Sequence, residues 1–168
     1  NKGAERRVRG GHLWIFSNEV DNSRSPLKQF EAGEQVLVQD AAGRSLGVAM
    51  INPNHLICAR MVSRDGAKTL DSSLLALRIE RAIQWRDRVY DKPFYRMVYG
   101  DSDFLPGLVV DRFGDVLSVQ CNSAGMSLLQ VEVMDALEKV CKPRGIVFRN
   151  DTLAREAEGL AQLVETHG

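Results

Sequence analysis

The chain has 168 residues, with 22 basic and 22 acidic side chains and therefore a formal net charge of zero. A hydrophobic fraction of 44% and a charged fraction of 26% are those of an average globular protein, which excludes disordered and fibrous classes. Zero net charge argues against a protein that coats nucleic acid through bulk charge, although a local basic patch remains compatible with it. The length accommodates one ordinary domain or two small ones.

The three cysteines, Cys58, Cys121 and Cys141, are far apart and each lies in an apolar run. An odd number without C-x-x-C spacing predicts buried free thiols and a reducing compartment rather than a disulfide framework or a metal pair. No apolar run approaches the ~20 residues that span a bilayer, and the N-terminus lacks a signal-peptide pattern. We therefore expect a cytoplasmic protein.

The front of the chain has the pattern of a small β-barrel or sandwich. Residues 35–40 alternate apolar and polar side chains, and apolar strands are predicted at 46–51 and 56–62. Turn residues around Gly43 and Pro53 separate these strands, as expected for short antiparallel connections.

From residue 72 to 90 the apolar residues recur at helical spacing, which predicts one amphipathic helix that ends before Pro93. A second module follows this helix, and its order of elements predicts an α+β sandwich with a helix on one face of an antiparallel sheet. Its predicted elements are a strand at 95–99, a hairpin over 108–121 with its turn at 112–115, a helix at 126–141 and a strand at 145–149.

A basic and aromatic segment lies at the N-terminus. Arginines contact phosphates and aromatic rings stack on unpaired bases, so this combination predicts an RNA surface. Trp14 and Phe16 share one face of a period-2 strand, however, and could instead fill the barrel core. The segment contains Lys2, Arg6, Arg7, Arg9, His12, Trp14 and Phe16.

Two aspartates, Asp101 and Asp103, stand two residues apart before Pro106 and Gly107. Such a pair can bind a hard cation such as magnesium, or one carboxylate can act as a general base. The same residue types also build a tight connection between strands, because aspartate caps turns and glycine accepts positive φ. We favour the structural interpretation.

Charged residues recur in the hairpin and after the last predicted strand. Asp111 and Arg112 are predicted to form charge pairs that fix the hairpin, whose turn contains Gly114. Asp151 could cap a short helix, which would leave Arg149 and Arg155 to bind phosphate or to pair with nearby acids.

Several patterns of catalysis are missing from the sequence. His12, His55 and His167 have no metal-site spacing, no serine or cysteine lies in a nucleophile elbow, and no Gly-rich loop joins a strand to a helix. We therefore assign no catalytic residue and no metal ligand, and predict no complete active site.

Three segments together resemble a known family. Residues 2–19, 101–114 and 149–160 are similar, in this order, to segments of the bacterial large-subunit rRNA 5-methylcytosine methyltransferases that begin with a PUA domain. The central segment, Asp101-Ser-Asp103-x-Leu-Pro106-Gly107 through Asp111-Arg112-Phe-Gly114, is the most distinctive. Leu13 departs from the family pattern, in which many members have proline.

The resemblance implies a PUA RNA-binding domain at 1–68, a connecting helix at 69–92 and an α+β (EEHEE-type) domain at 93–168. It implies that the Rossmann-like catalytic domain, with its catalytic cysteine, is absent from this chain. S-adenosyl-L-methionine (SAM) would then be the cofactor of the parent enzyme, with none bound here.

The implied function is recognition of large-subunit ribosomal RNA for cytosine-C5 methylation. The alternative is a structural or dimerisation module without RNA binding of its own, and a homodimer is compatible with either function. The candidate RNA contacts are Arg6, Arg7, Arg9, His12, Trp14, Arg112, Arg149 and Arg155. The motif residues expected to be structural are Asp101, Asp103, Pro106, Gly107, Asp111 and Gly114.

Overall fold

The computed structural model describes residues 3–168, so the predicted basic residue Lys2 lies outside the described residues. The chain divides into two compact units, of which unit 1 ends at Leu70 and unit 2 begins at Asp71. Each unit contains one sheet together with helices, so the fold is mixed α and β.

Unit 1 contains a four-stranded antiparallel sheet with strand order β1-β4-β3-β2. Its elements are α1 (Glu5–Arg9), β1 (Trp14–Phe16), two 3-10 turns (Ser17–Glu19 and Leu27–Gln29), β2 (Gln35–Gln39), β3 (Ser45–Ile51) and β4 (Ile57–Ser63).

The core of unit 1 includes Ile15 rather than its two aromatic neighbours. Ile15 is buried, whereas Trp14 keeps 36% of its surface exposed and Phe16 is half-buried. Alternate residues of a strand point to opposite faces, so burying Ile15 turns Trp14 away from the interior. The interpretation in which Trp14 fills the barrel core is therefore wrong.

Unit 2 contains a five-stranded sheet with strand order β5-β6-β7-β8-β9. Its elements are α2 (Ser72–Arg86), β5 (Phe94–Tyr99), a 3-10 turn (Gly100–Asp103), β6 (Leu108–Phe113), β7 (Val116–Cys121), α3 (Ala124–Leu128), α4 (Gln130–Cys141), β8 (Gly145–Asn150), α5 (Leu153–Ala157) and β9 (Leu163–His167).

The sequence predicts an antiparallel sheet, and this prediction is wrong for one pair of strands, because β7 and β8 run parallel. The helical segment between them, α3 followed by α4, is the crossover that a parallel pair requires. The predicted helix over 126–141 is interrupted at Leu129, where α3 ends and α4 begins.

Helix α2 lies within unit 2 and packs against α4 and β5. Leu75, Ile79 and Ala82 form its buried face. The side chain of Asp71 accepts a hydrogen bond from the backbone N–H of Leu74 at 2.9 Å and so caps the helix N-terminus. The sequence predicts this helix at 69–92 as a connection between domains, and that domain assignment stays a prediction.

Two of the three cysteines are fully buried. Burial raises the pKa of Cys58 to about 11 and the pKa of Cys121 to about 12, so both thiols stay protonated near neutral pH. Cys141 is only partly buried. Within residues 3–168, no helix combines the length and the apolar character needed to cross a bilayer.

Candidate RNA-binding surfaces

Arg7 is held at the surface of unit 1 by three neighbours. Its guanidinium forms an ion pair with Glu19 at 2.6 Å, approaches the His12 ring at 3.2 Å and lies 5.1 Å from the centre of the Phe16 ring. Glu19 also accepts a hydrogen bond from the backbone N–H of Phe16 at 2.8 Å. Arg7 therefore ties helix α1 to the segment around β1.

Arg9 is similarly anchored, by Asp40. The carboxylate of Asp40 is 2% exposed and accepts hydrogen bonds from Arg9 at 2.5 Å and from the Arg44 side chain at 2.8 Å. It also accepts from the backbone N–H groups of Arg44 and Ala42. The Arg44 backbone donor, together with the other donors and against the effect of burial, lowers the pKa of Asp40 to about 2.

Arg6, His12 and Trp14 are exposed on unit 1. Within the described part of the chain, the Arg6 side chain forms no hydrogen bond or ion pair. Trp14 lies directly opposite Arg60 on the neighbouring strand β4, and cross-strand neighbours on one face are close enough to interact. Helix α1 and strand β1 thus place basic and aromatic groups in the same region of unit 1.

Sequence reasoning missed the arginine that fixes this region. Arg64, just after β4, donates to the carbonyl oxygens of Val8 and His12, the latter at 3.2 Å. Both carbonyls are more than 50 residues away in sequence, so no local motif signals the contact.

A cavity of about 370 Å³ opens in unit 1 beside α1 and β2. Val8, Phe30 and Val38 contribute apolar wall, and Arg24 and Asp40 contribute polar groups. Sequence patterns did not predict this cavity, because its lining residues come from separate segments of the chain.

In unit 2, Arg112 forms hydrogen bonds that stabilise the hairpin of β6 and β7. It donates to the Gly114 carbonyl at 3.1 Å and to the Tyr95 hydroxyl at 3.2 Å. Asp111 pairs with Arg96, its direct cross-strand partner, through contacts of 2.8 and 3.1 Å. The predicted charge pairing thus applies to Asp111, whereas Arg112 bonds to uncharged groups.

Arg149 and Arg155 occupy opposite environments. Arg149 is exposed and pairs with exposed Asp151 at 3.0 Å. Arg155 is 5% exposed, and its guanidinium donates to the carbonyl oxygens of Ala161 at 2.9 Å and Cys121 at 2.5 Å. This corrects the prediction for Arg155, because a buried guanidinium with committed donors does not reach RNA.

The aspartate pair after β5 is built into the fold. Both oxygens of Asp103 accept hydrogen bonds from Arg86, at 2.6 and 2.7 Å, and one also accepts from the backbone N–H of Tyr99 at 2.7 Å. Over residues 3–168, no group of three or more His, Cys, Asp or Glu side chains could hold a metal ion. We therefore derive no metal chemistry from Asp101 and Asp103.

The β7-α3-α4-β8 unit is a strand-helix-strand crossover, and two N–H groups at the start of α3 are bonded to the protein's own side chains. The first backbone N–H of α3, on Ala124, donates to the buried Glu158 carboxylate at 3.2 Å. Ser123 caps the same helix and donates to the Pro106 carbonyl at 3.0 Å. The helix N-terminus is thus filled by the protein's own side chains, and we derive no step through SAM here.

Comparison with known proteins identifies relatives of this chain. A family model for the PUA-like domain matches residues 1–64. Ribosomal RNA large subunit methyltransferase I of Cronobacter sakazakii is 33% identical over 162 residues, which cover 95% of this chain and 40% of the relative. The protein of the same name from Salmonella paratyphi B is 32% identical over 164 residues, covering 96% and 40%. This chain is homologous to the N-terminal part of ribosomal RNA large subunit methyltransferase I.

Solved structures agree at the level of the fold. A protein of Streptococcus mutans assigned as a SAM-dependent methyltransferase superposes with a TM-score of 0.74 at 16% identity, over 89% of this chain and 39% of that one. A second methyltransferase structure, complexed with S-adenosylhomocysteine (SAH), gives 0.73 at 16% identity over 87% and 38%. The chain spans about 40% of the length of the curated relatives it matches.

Proposed function

We propose that the chain is the RNA-recognition part of a SAM-dependent methyltransferase that acts on cytosine C5 of large-subunit ribosomal RNA, with methyl transfer performed by a separate Rossmann-like domain. Two findings support this function. The first is the PUA-like domain at residues 1–64, and the second is the homology to proteins named ribosomal RNA large subunit methyltransferase I.

The observation that carries the proposal is the exposed basic and aromatic surface of α1 and β1. Arg6, whose side chain has no ion-pair partner among residues 3–168, offers its guanidinium to a phosphate, and Trp14 offers part of its ring to an unpaired base. His12 lies between them in sequence and is exposed as well. We call Arg6, His12 and Trp14 the α1–β1 surface.

Arg7 and Arg9 are proposed as further phosphate contacts beside the α1–β1 surface. Their side chains are 39% and 45% exposed although each pairs with a carboxylate. Anchoring fixes the direction of each guanidinium, and its exposed edge remains available for a phosphate oxygen. In unit 2, the exposed Arg149 is proposed as an additional contact, with partly exposed Arg112 beside the hairpin.

An RNA titration of Arg6→Ala tests the proposal. We expect weaker binding to a labelled large-subunit rRNA hairpin, and a slope of log K against log salt that is smaller by about 0.7 to 0.9, the value for one lost phosphate contact. Arg144→Ala is the matched control, because Arg144 is also exposed but pairs with Asp115 and is not among the proposed contacts. An unchanged affinity and slope for Arg6→Ala would overturn the proposed role.

The dimerisation alternative predicts a much weaker dependence of association on salt concentration. An apolar contact between two copies responds little to salt, whereas binding to RNA weakens steeply. If the chain elutes as a dimer and shows no RNA affinity at any salt concentration, the function is dimerisation and RNA recognition is wrong.

A further inference from the structure

Helix α2 and the turn after it carry a basic and aromatic face that the residues discussed so far do not include. Arg81 and Trp85 lie in the helix, and Arg88 follows its last residue by two positions. Intervals of four and three residues place such positions on one side of a helical backbone. All three are exposed, and Trp85 leaves 64% of its surface open. We call these three residues the α2 stripe.

The cations of the α2 stripe are not neutralised by neighbouring acids. Among residues 3–168, neither Arg81 nor Arg88 forms an ion pair or a hydrogen bond through its side chain. Arg88 lies 5.0 Å from the centre of the Trp85 ring. Glu80 projects from another side of the helix, about 80° or more from each stripe residue, and Asp87 accepts a hydrogen bond from the Tyr95 hydroxyl at 2.7 Å. Within residues 3–168, Arg81 and Arg88 therefore keep their guanidinium donors available for an anion.

A second pair of arginine and aromatic ring continues the stripe. Arg78, one turn before Arg81, donates to the Phe104 carbonyl and lies 5.9 Å from the centre of the Phe104 ring, which is 56% exposed. Burial, and to a lesser degree the charge of Arg81, lower the pKa of Arg78. Arg78 and Arg81 are three residues apart on one helix, a spacing at which like charges repel, and a bound anion would relieve this repulsion.

Arg78 and Trp85 are separated by seven residues, which is about 10 Å along the axis of α2 at a rise of about 1.5 Å each. The Phe104 ring lies beside Arg78, so the stripe offers two separate aromatic groups to the bases of one extended strand. Arginines supply the sequence-independent attraction for phosphates, and the rings supply faces on which bases stack. A polyanion with aromatic bases matches the stripe in both charge and chemistry.

We propose that the α2 stripe, extended by Arg78 and Phe104, is a second RNA-binding surface that takes single-stranded RNA by stacking and phosphate contacts without reading its sequence. The inference rests on the proposed function, since it supposes that the chain recognises RNA. It adds a contact surface on unit 2 that is separate from the α1–β1 surface. Unpaired segments flanking the recognised RNA element are the expected ligand.

The two tryptophans of the chain, Trp14 and Trp85, allow the two surfaces to be tested separately. In Trp14→Phe the only indole is Trp85, and in Trp85→Phe it is Trp14. Each variant is titrated with an unlabelled oligouridine of about 12 nucleotides, a length within the range of single-strand binding sites, while indole emission is recorded. We expect quenching of Trp85 in Trp14→Phe, because a stacked base contacts the ring directly.

The outcomes separate this inference from the proposed function. Quenching of Trp14 without any change at Trp85 overturns the α2 stripe and leaves the α1–β1 surface standing. Quenching of Trp85 alone supports the stripe, and the α1–β1 surface is then decided by the Arg6→Ala titration with the rRNA hairpin. If Trp85 emission instead changes with protein concentration and the chain elutes as a dimer, a second copy occupies the stripe and the inference is wrong.

Affinity measurements complete the test. For oligouridine, Trp85→Ala should weaken binding about tenfold without changing the salt slope, because one stacking contact is lost. The double variant Arg81→Ala/Arg88→Ala should lower the salt slope by about 1.4, the value for two phosphate contacts on a single strand. Lys139→Ala/Arg144→Ala removes the same charge from exposed sites outside the stripe. An equal loss of slope in this control would overturn the inference, since only bulk charge would then matter.

Discussion

Arg86 and Asp103 form a two-point ion pair, with contacts of 2.6 and 2.7 Å, that joins helix α2 to the turn between β5 and β6. Both side chains are largely shielded, with 20% and 9% of their surfaces exposed. The same carboxylate accepts the backbone N–H of Tyr99 at 2.7 Å. This aspartate of the central motif is therefore a clamp within unit 2.

Replacing Asp103 by Asn should destabilise unit 2. The variant loses the charge that compensates Arg86, which then remains partly buried without its counterion. We expect the free energy of unfolding to fall by about 2 kcal/mol, less than for a fully buried pair because Arg86 retains some contact with water. Urea denaturation of the wild type and the variant measures this difference.

Asp151→Asn is the control for Asp103→Asn, because it breaks a pair of the same chemistry, with Arg149, that is exposed on both sides. Its loss should lower the free energy of unfolding far less than the loss of the Asp103 charge, because water screens an exposed pair. Magnesium is then added to all three proteins. A thermal stabilisation of the wild type that disappears in Asp103→Asn would show that Asp103 binds a cation and that the clamp is not its role.

Gly107 should not tolerate even a methyl group. Its φ is +83°, and a Cβ at this position would lie 2.4 Å from the Ser123 hydroxyl and 2.8 Å from the Ser123 backbone nitrogen. Gly107→Ala therefore combines backbone strain with a clash against a buried helix cap, and we expect a loss of about 3 kcal/mol in the free energy of unfolding.

Gly159→Ala separates the two causes of the stability loss in Gly107→Ala, which are backbone strain and the clash with Ser123. Gly159 has a similar φ of +76°, but a Cβ added there would meet no atom within 4 Å. This variant should lose only about 1 kcal/mol, the cost of the left-handed backbone alone. Equal losses in the two variants would mean that the contact with Ser123 contributes nothing.

Local patterns predicted α2 and the strands β5 to β8 of unit 2, because each of these elements carries its own periodicity or turn, whereas strand β9 was not predicted. The hairpin of β6 and β7 and the start of α2 are examples. The parallel pairing of β7 and β8 was not predicted, since pairing direction depends on where a crossover returns the chain. The helix predicted between the two strands is the kind of connection that a parallel pair requires, and the sequence interpretation did not use this sign.

The residues of the candidate surfaces were also predicted only in part from the sequence. Residue chemistry identified Arg6 and Trp14 in the exposed region of unit 1, but it placed buried Arg155 in the same class. The position of an arginine in the sequence does not reveal whether its donors are taken by distant carbonyls, here those of Cys121 and Ala161. Sequence reasoning missed Trp85, because helical periodicity identifies the buried face of α2 and leaves the exposed face unassigned.

Asp40 should make unit 1 sensitive to acid. The Arg44 backbone donor contributes most to holding the pKa of Asp40 at about 2, below the ordinary value of 3.8. A carboxyl group with a pKa that is lower in the folded state than in the unfolded chain stabilises the fold above the unfolded pKa. This contribution is complete above about pH 4 and is lost as pH falls through the window from 3.8 to about 2.

Urea midpoints measured between about pH 2 and pH 5 for the wild type and Asp40→Asn test this dependence. The wild type should be the more stable protein at the upper end, and its advantage should shrink as the pH falls, because over this range Asp40 loses its proton more readily in the folded state than in the unfolded chain. Arg9→Gln keeps the carboxylate but removes its 2.5 Å partner, so its pH dependence should lie between the other two. A wild-type advantage that is the same at both ends of the pH range would contradict the role of the Asp40 charge.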